Sequence, residues 1–122
     1  TKNDKVFVLY LPLNEIHELG LMYLNYEILS NGYKTIYLGE SVPIENLKDI
    51  TNYFDNITFV CYMTVEPNPN EVNDYVEKLI NQFDTKNNHF WFIGRLVEKI
   101  NPKLLSNEVR KFESISDLTY SL

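Results

Sequence analysis

The sequence predicts a three-layer α/β/α domain built on a doubly wound, five-stranded parallel sheet. Apolar runs of strand length alternate with segments whose apolar residues recur at helical spacing, which is the pattern of strands joined by crossover helices. The chain has 122 residues, enough for one compact domain but not for two catalytic domains. Its apolar runs are far shorter than the roughly 20 residues that cross a bilayer, so no membrane contact is expected.

The first predicted strand covers residues 6–10, a continuous apolar run of the kind found in strands covered on both faces, and Pro12 ends it. Residues 16–30 then show helical spacing, and Asn31-Gly32 is a typical helix end. The apolar positions of this helix are expected to form one wide buried face: Leu19, Leu21, Met22, Leu24, Tyr26, Ile28 and Leu29.

Residues 35–38 are predicted as the second strand, and residues 43–54 as a short helix, because proline is favoured in a first helical turn. Residues 58–63 form the third predicted strand. The helix predicted at residues 70–83 has its buried positions at helical spacing: Val72, Tyr75, Val76, Leu79 and Ile80.

The fourth predicted strand covers residues 90–93, and a turn or short helix is expected at residues 102–105. A fifth strand at residues 109–112 and a closing helix from Ser116 complete the chain. Five strands with intervening crossovers favour a flavodoxin-like fold with strand order 2-1-3-4-5 and right-handed connections.

The charge and the cysteine content exclude several classes of protein. Eleven basic residues against seventeen acidic residues give a formal net charge of −6, which does not suit a module that binds nucleic acid. The single cysteine, Cys61, can form neither an internal disulfide nor a multi-cysteine zinc site, so we expect a reducing, cytoplasmic location. Cys61 and Trp91 lie inside strands and are expected to pack in the core, while His89 lies at the sheet end opposite the ligand edge.

Ligands of this fold bind at the carboxyl ends of the strands, so four loops carry the functional expectation: residues 11–20, 39–43, 63–69 and 94–99. The four glycines do not have the spacing of a dinucleotide fingerprint or of a phosphate-binding loop. The acidic strand tips of a phosphoacceptor receiver and the Ser/Thr/Gly-rich first loop of a flavodoxin are also missing. The first loop must therefore serve another chemistry.

That loop places Glu15 two residues before His17. A neutral imidazole can ligate a metal through one nitrogen while a carboxylate holds its other N–H, which fixes the tautomer. The alternative is that Asn14 caps the following helix and that Glu15, His17 and Glu18 only occupy its first turn, where acidic residues are favoured. The spacing leaves both interpretations open.

Three segments of the first 43 residues resemble a known family, the cobalamin-binding domain shared by methionine synthases, mutases and light- or cobalamin-sensing transcription factors. The likeness is greatest to the C-terminal domain of MerR-type regulators. The segments are Glu15-x-His17-x-x-Gly20, Gly32-Tyr33-Lys34 and Leu38-Gly39-x-x-Val42-Pro43.

The resemblance implies a role for each residue of the first motif. His17 would replace the nucleotide base of the cofactor as the lower axial ligand of cobalt, and Glu15 would hydrogen-bond His17. Gly20 would let the loop change course where the corrin approaches. The resemblance therefore implies cobalamin as the cofactor, with its upper ligand undefined.

The family also has a slot for the displaced nucleotide tail, lined by a Ser-x-Leu segment after strand three and a Gly-Gly pair after strand four. Here these positions are Met63-Thr64-Val65 and Gly94-Arg95. Met63 is bulky, although Thr64 could supply the missing hydroxyl after a shift of one residue. Arg95 could either block the slot or pair with the tail phosphate.

Two functions follow from these expectations. In the first, residues 1–122 are the C-terminal, corrinoid-binding sensor domain of a longer, non-enzymatic MerR-type regulator, which contacts DNA only through an N-terminal helix-turn-helix outside this chain. In the second, a degenerate domain no longer binds corrinoid and serves as a dimerisation or other-ligand sensing module. The sequence leaves assembly into a homo-oligomer open.

Overall fold

The computed structural model describes residues 5–122, which form a five-stranded, all-parallel sheet in the order β2-β1-β3-β4-β5 with helices on both faces. The strands are β1 (Val6–Pro12), β2 (Lys34–Val42), β3 (Ile57–Tyr62), β4 (Asn88–Ile93) and β5 (Val109–Phe112). The helices are α1 (Leu19–Ser30), α2 (Ile44–Ile50), α3 (Val72–Gln82) and α4 (Ile115–Tyr120). The predicted flavodoxin-like topology is confirmed.

The sheet is buried on both faces, which is why its central strands are continuous apolar runs. Every residue of β1 is buried, and alternate side chains enter two separate core clusters. Val8 and Tyr10 pack on the face covered by α2 and α3, whereas Phe7 and Leu9 pack on the face covered by α1 and α4. The two faces of the sheet therefore have distinct surroundings.

The helix α1 differs from the prediction in both its start and its buried face. It begins at Leu19 rather than at residue 16, and its buried residues are Leu21, Leu24 and Ile28. The prediction that the other apolar residues of α1 are buried was wrong, because a helix on a sheet buries only one stripe and this helix is apolar on several sides. The exposed residues are Leu19, Met22, Tyr26 and Leu29.

The remaining elements follow the predicted order with shifted ends. A 3-10 turn at Pro69–Glu71 precedes α3, and the connection from β4 to β5 contains two 3-10 turns, Arg95–Lys99 and Pro102–Leu104, in place of a helix. Cys61 and Trp91 are buried, as predicted. Among residues 5–122, no helix has both the length and the apolar character needed to cross a membrane.

Candidate functional site

The candidate site lies at the carboxyl edge of the sheet, in the loops that follow β1 and β3. These two strands are neighbours at the centre of the sheet, where the strand order reverses. Such a reversal is where open α/β sheets bind their ligands. The loops after β1 and β3 therefore lie where the sequence predicts that a ligand binds.

The loop after β1 turns sharply before α1 begins. Asn14 adopts a positive φ of 72°, and the backbone N–H of Glu15 donates to the carbonyl of Pro12 at 2.9 Å. Ser41, at the end of β2, accepts from the N–H of Asn14 at 3.1 Å and donates its own N–H to the carbonyl of Glu15. The interpretation that Asn14 caps the helix is wrong, because the turn places Glu15 and His17 ahead of α1.

Glu15 points into the protein and is 0% exposed. Its Oε1 accepts the backbone N–H groups of Thr64, Val65 and Glu66 at 2.9, 2.6 and 3.0 Å. Its Oε2 accepts the N–H groups of Ile16 and His17 at 3.1 and 3.2 Å. One carboxylate thus joins the loop after β1 to the loop after β3.

These hydrogen bonds determine the charge of Glu15. Burial disfavours the ionised carboxyl, but the N–H groups of Glu66 and Val65 and the imidazole of His17 outweigh that cost and lower the pKa of Glu15 to about 2. The side chain is therefore a carboxylate at neutral pH. A carboxylate can only accept hydrogen bonds, so each neighbouring group must be a donor.

His17 is held by the same carboxylate. Its Nδ1 lies 2.7 Å from Oε2 of Glu15, and its side chain is 59% exposed. Because Glu15 is ionised, Nδ1 must carry the proton, which leaves the lone pair of Nε2 available in the neutral imidazole. Glu15 and His17 are brought together as predicted, in the arrangement of a metal-ligating histidine with an orienting carboxylate.

A depression of about 210 Å³ lies beside the imidazole, lined by His17, Glu18, Leu19, Gly20, Tyr62 and Thr64. Glu18 is fixed there, because its Oε2 accepts the Tyr37 hydroxyl at 2.6 Å. Burial, the hydrogen bond to Glu18 and the nearby acidic charge raise the pKa of Tyr37, so its hydroxyl stays a donor at neutral pH. Sequence reasoning missed Tyr37, which the register of β2 against β1 places opposite Leu9.

Gly20 also contributes to the packing at this edge of the sheet. It lies in the first turn of α1, past the point where the loop changes course. A Cβ atom at this position would come within 2.6 Å of the Tyr62 ring. Gly20 therefore makes room for Tyr62, a residue that the sequence analysis did not select.

The three site residues predicted after β3 have different surroundings in the structure. Met63 is fully buried in the core cluster that contacts α2 and α3, and it does not line the depression beside His17. Thr64 lines that depression, whereas Val65 is exposed and contributes its N–H to Glu15. Alternation along the chain turns Tyr62, the neighbour of Met63, toward the opposite face of the sheet.

A larger cleft of about 470 Å³ lies next to the depression, beyond Tyr62. Its lining includes the predicted Gly94 and Arg95, Glu98 of the same selected loop, and three polar residues that the sequence analysis did not select: Lys111, Glu113 and Ser114. Gly94 has a φ of 110°, and a Cβ there would lie 2.3 Å from the Met63 carbonyl oxygen, so this position requires glycine. Lys111 lies within β5, and Glu113 and Ser114 lie in the loop after it, which was not among the four selected.

Few side chains at this edge could ligate a metal. In residues 5–122 no three His, Cys, Asp or Glu side chains are grouped so that they could hold a metal ion. A bare ion in a protein site needs about four ligands, and His17 offers one.

Solved structures of other proteins share the fold of this chain. No known protein-family model and no curated protein matches the sequence. A monomethylamine corrinoid protein of Methanosarcina barkeri shares the fold with a TM-score of 0.75 and 14% identity, over 98% of this chain and 57% of its own.

Two further solved structures share the fold. A cobalamin-binding protein of Desulfitobacterium hafniense has a TM-score of 0.78 and 15% identity, over 98% of this chain and 58% of its own. A chain of the methanol:cobalamin methyltransferase complex of Methanosarcina barkeri has a TM-score of 0.65 and 22% identity, over 98% of this chain and 45% of its own. This chain therefore spans less than two thirds of each neighbour, and its structural neighbours are corrinoid proteins.

Proposed function

We propose that this domain binds a corrinoid, with His17 as the lower axial ligand of cobalt. The observation that carries the proposal is the Glu15–His17 pair: an exposed imidazole, anchored through Nδ1 by a buried carboxylate, at the ligand edge of the sheet. The fold that this domain shares with corrinoid proteins supports it.

Each residue of the site would have a separate task. Glu15 holds the Nδ1 proton of His17 and so keeps Nε2 free as a ligand. The backbone N–H groups of Thr64 to Glu66 keep Glu15 ionised and fixed. Glu18 and Tyr37 secure the rim of the depression. A bound corrinoid would supply a cobalt centre with an exchangeable ligand.

The test is a titration of the purified domain with hydroxocobalamin, followed by visible absorption. We expect a saturable, stoichiometric spectral change as the imidazole of His17 replaces the nucleotide base at cobalt. His17→Ala should abolish the change. His89→Ala is the matched control, because His89 pairs with Thr58 near the start of its strand, at the opposite end of the sheet, and should behave as wild type.

A spectral change that persists in His17→Ala would contradict the axial role of His17. If neither protein binds corrinoid, the second interpretation gains support, namely a dimerisation or other-ligand sensing module that has kept the fold. Sedimentation of the same samples would then report whether copies of the chain associate.

The resemblance within the first 43 residues supports a finer proposal, that the domain is the sensor part of a cytoplasmic MerR-type regulator and not an enzyme. The regulator would contact DNA through an N-terminal helix-turn-helix, since this chain carries a net charge of −6. A mobility-shift assay of the complete gene product on its own promoter, with and without hydroxocobalamin, tests this. A complete protein that binds no DNA but copurifies with a methyltransferase would contradict it.

A further inference from the structure

Tyr62 stands between the two concave regions at the carboxyl edge of the sheet. It lines the depression beside His17 and also the larger cleft, and no other described residue lines both. It is the last residue of β3 and pairs with Ile93 of β4, so its backbone is fixed while its side chain projects toward α1. The ring therefore forms the wall between the two regions.

The Tyr62 ring is held by packing rather than by hydrogen bonds. The ring rests on Gly20, where a Cβ atom would lie 2.8 Å from its hydroxyl oxygen. Within residues 5–122 this hydroxyl makes no hydrogen bond, in contrast to that of Tyr37, which donates to Glu18. A ring held in this way can rotate about its χ1 bond without breaking a polar contact.

The cleft behind the wall holds two cationic side chains that could contact an anionic group. Arg95 and Lys111 line the larger cleft, and neither forms an ion pair with a described residue. Glu98 and Glu113 lie in the same lining, so the cleft is mixed in charge rather than uniformly basic. Guanidinium and ammonium groups that have no carboxylate partner are available to a phosphodiester.

We propose that Tyr62 is a gate that determines which corrinoids this domain accepts, an inference that rests on the proposed function. A corrinoid without a nucleotide tail would bind beside His17 with the gate closed. Cobalamin carries a phosphodiester-linked nucleotide tail, whose base would no longer be bound to cobalt if His17 took its place as a ligand. The tail would need Tyr62 to swing away from Gly20 to reach the cleft of Arg95 and Lys111.

The test compares hydroxocobalamin with diaquocobinamide, which lacks the nucleotide tail, in wild type and in Tyr62→Ala. Because the tail enters only when the gate is open, the apparent affinity of the wild type for hydroxocobalamin is reduced in proportion to the fraction of molecules with an open gate. Tyr62→Ala should therefore bind hydroxocobalamin about tenfold more tightly than wild type. The affinity for cobinamide should change by less than about threefold. Tyr62→Phe keeps the ring and should match wild type with both ligands, and Tyr23→Ala is the control for loss of an exposed tyrosine on α1.

The possible results distinguish failure of the gate from failure of the proposed function. Equal gains or losses for both corrinoids in Tyr62→Ala would overturn the gate while leaving axial ligation by His17 in place. No His17-dependent binding of either corrinoid would overturn both. If Tyr62→Ala unfolds at a lower urea concentration than wild type, Tyr62→Leu repeats the comparison with an apolar, smaller side chain, and the ratio of the two affinities remains the readout.

Discussion

The Glu15 carboxylate should stabilise the fold, and that contribution should disappear in acid. Its pKa is about 2 in the folded protein against 4.5 for the same group in an unfolded chain. The folded state therefore binds fewer protons, so the contribution is complete above about pH 4.5 and is lost as the pH falls through about 2. A pKa difference of this size corresponds to roughly 3 kcal/mol, because one unit is worth about 1.4 kcal/mol.

Glu15→Gln removes this contribution with little change in shape. At pH 7 we expect the free energy of unfolding to fall by roughly 3 kcal/mol. Both oxygens of the carboxylate accept hydrogen bonds, whereas the nitrogen of the glutamine amide cannot accept one. The difference between wild type and Glu15→Gln should narrow by about 2 kcal/mol between pH 5 and pH 3, since protonation then weakens the wild type. The amide does not titrate.

The assay is urea denaturation of the corrinoid-free domain at pH 7, 5, 4 and 3, followed by the fluorescence of Trp91, the single tryptophan. Glu45→Gln, an exposed position on α2, is the control and should change the free energy of unfolding by less than about 0.5 kcal/mol. A constant difference between wild type and Glu15→Gln from pH 7 to pH 3 would refute the reasoning.

Three other predictions test the surroundings of the site. Gly94→Ala should lower the free energy of unfolding by at least about 2 kcal/mol in urea denaturation, because of its positive φ and the contact with Met63; a neutral effect would show that the loop relaxes freely. Cys61, whose thiol pKa burial raises to about 12, should react with Ellman's reagent at pH 8 only after unfolding. Leu24→Ala should cost about 2–5 kcal/mol, whereas Met22→Ala on the exposed side of α1 should cost less than about 0.5 kcal/mol; equal losses in a thermal melt would contradict the orientation of the helix.

The fold could be predicted from the sequence because strands buried on both faces leave continuous apolar runs, as in β1 and β4. The buried face of α1 could not, because Leu19 and Met22 are as apolar as Leu21 and Leu24, and the sheet decides which of them it covers. Helix periodicity gives an orientation only when the opposite side is polar.

The centre of the site was predictable and its surroundings were not. Glu15 and His17 are side chains with a recognisable spacing, whereas the main partners of Glu15 are backbone N–H groups, which any residue would supply. Strand alternation could have identified Tyr62. It places Tyr62 and Met63 on opposite faces of the sheet, so only one of the two can face α1.

Because Glu15 links the loop after β1 to the loop after β3, hydrogen exchange in the second loop reports on the position of the first. Thr64, Val65 and Glu66 lie outside any helix or strand, yet each gives its amide hydrogen to the same buried carboxylate. Amide hydrogens of an irregular surface segment ordinarily exchange quickly with solvent, so slow deuterium uptake at these three positions would depend on the Glu15 side chain. A movement of the loop that carries His17 can therefore be followed by mass spectrometry some fifty residues along the chain, without a chromophore and before any ligand has been identified.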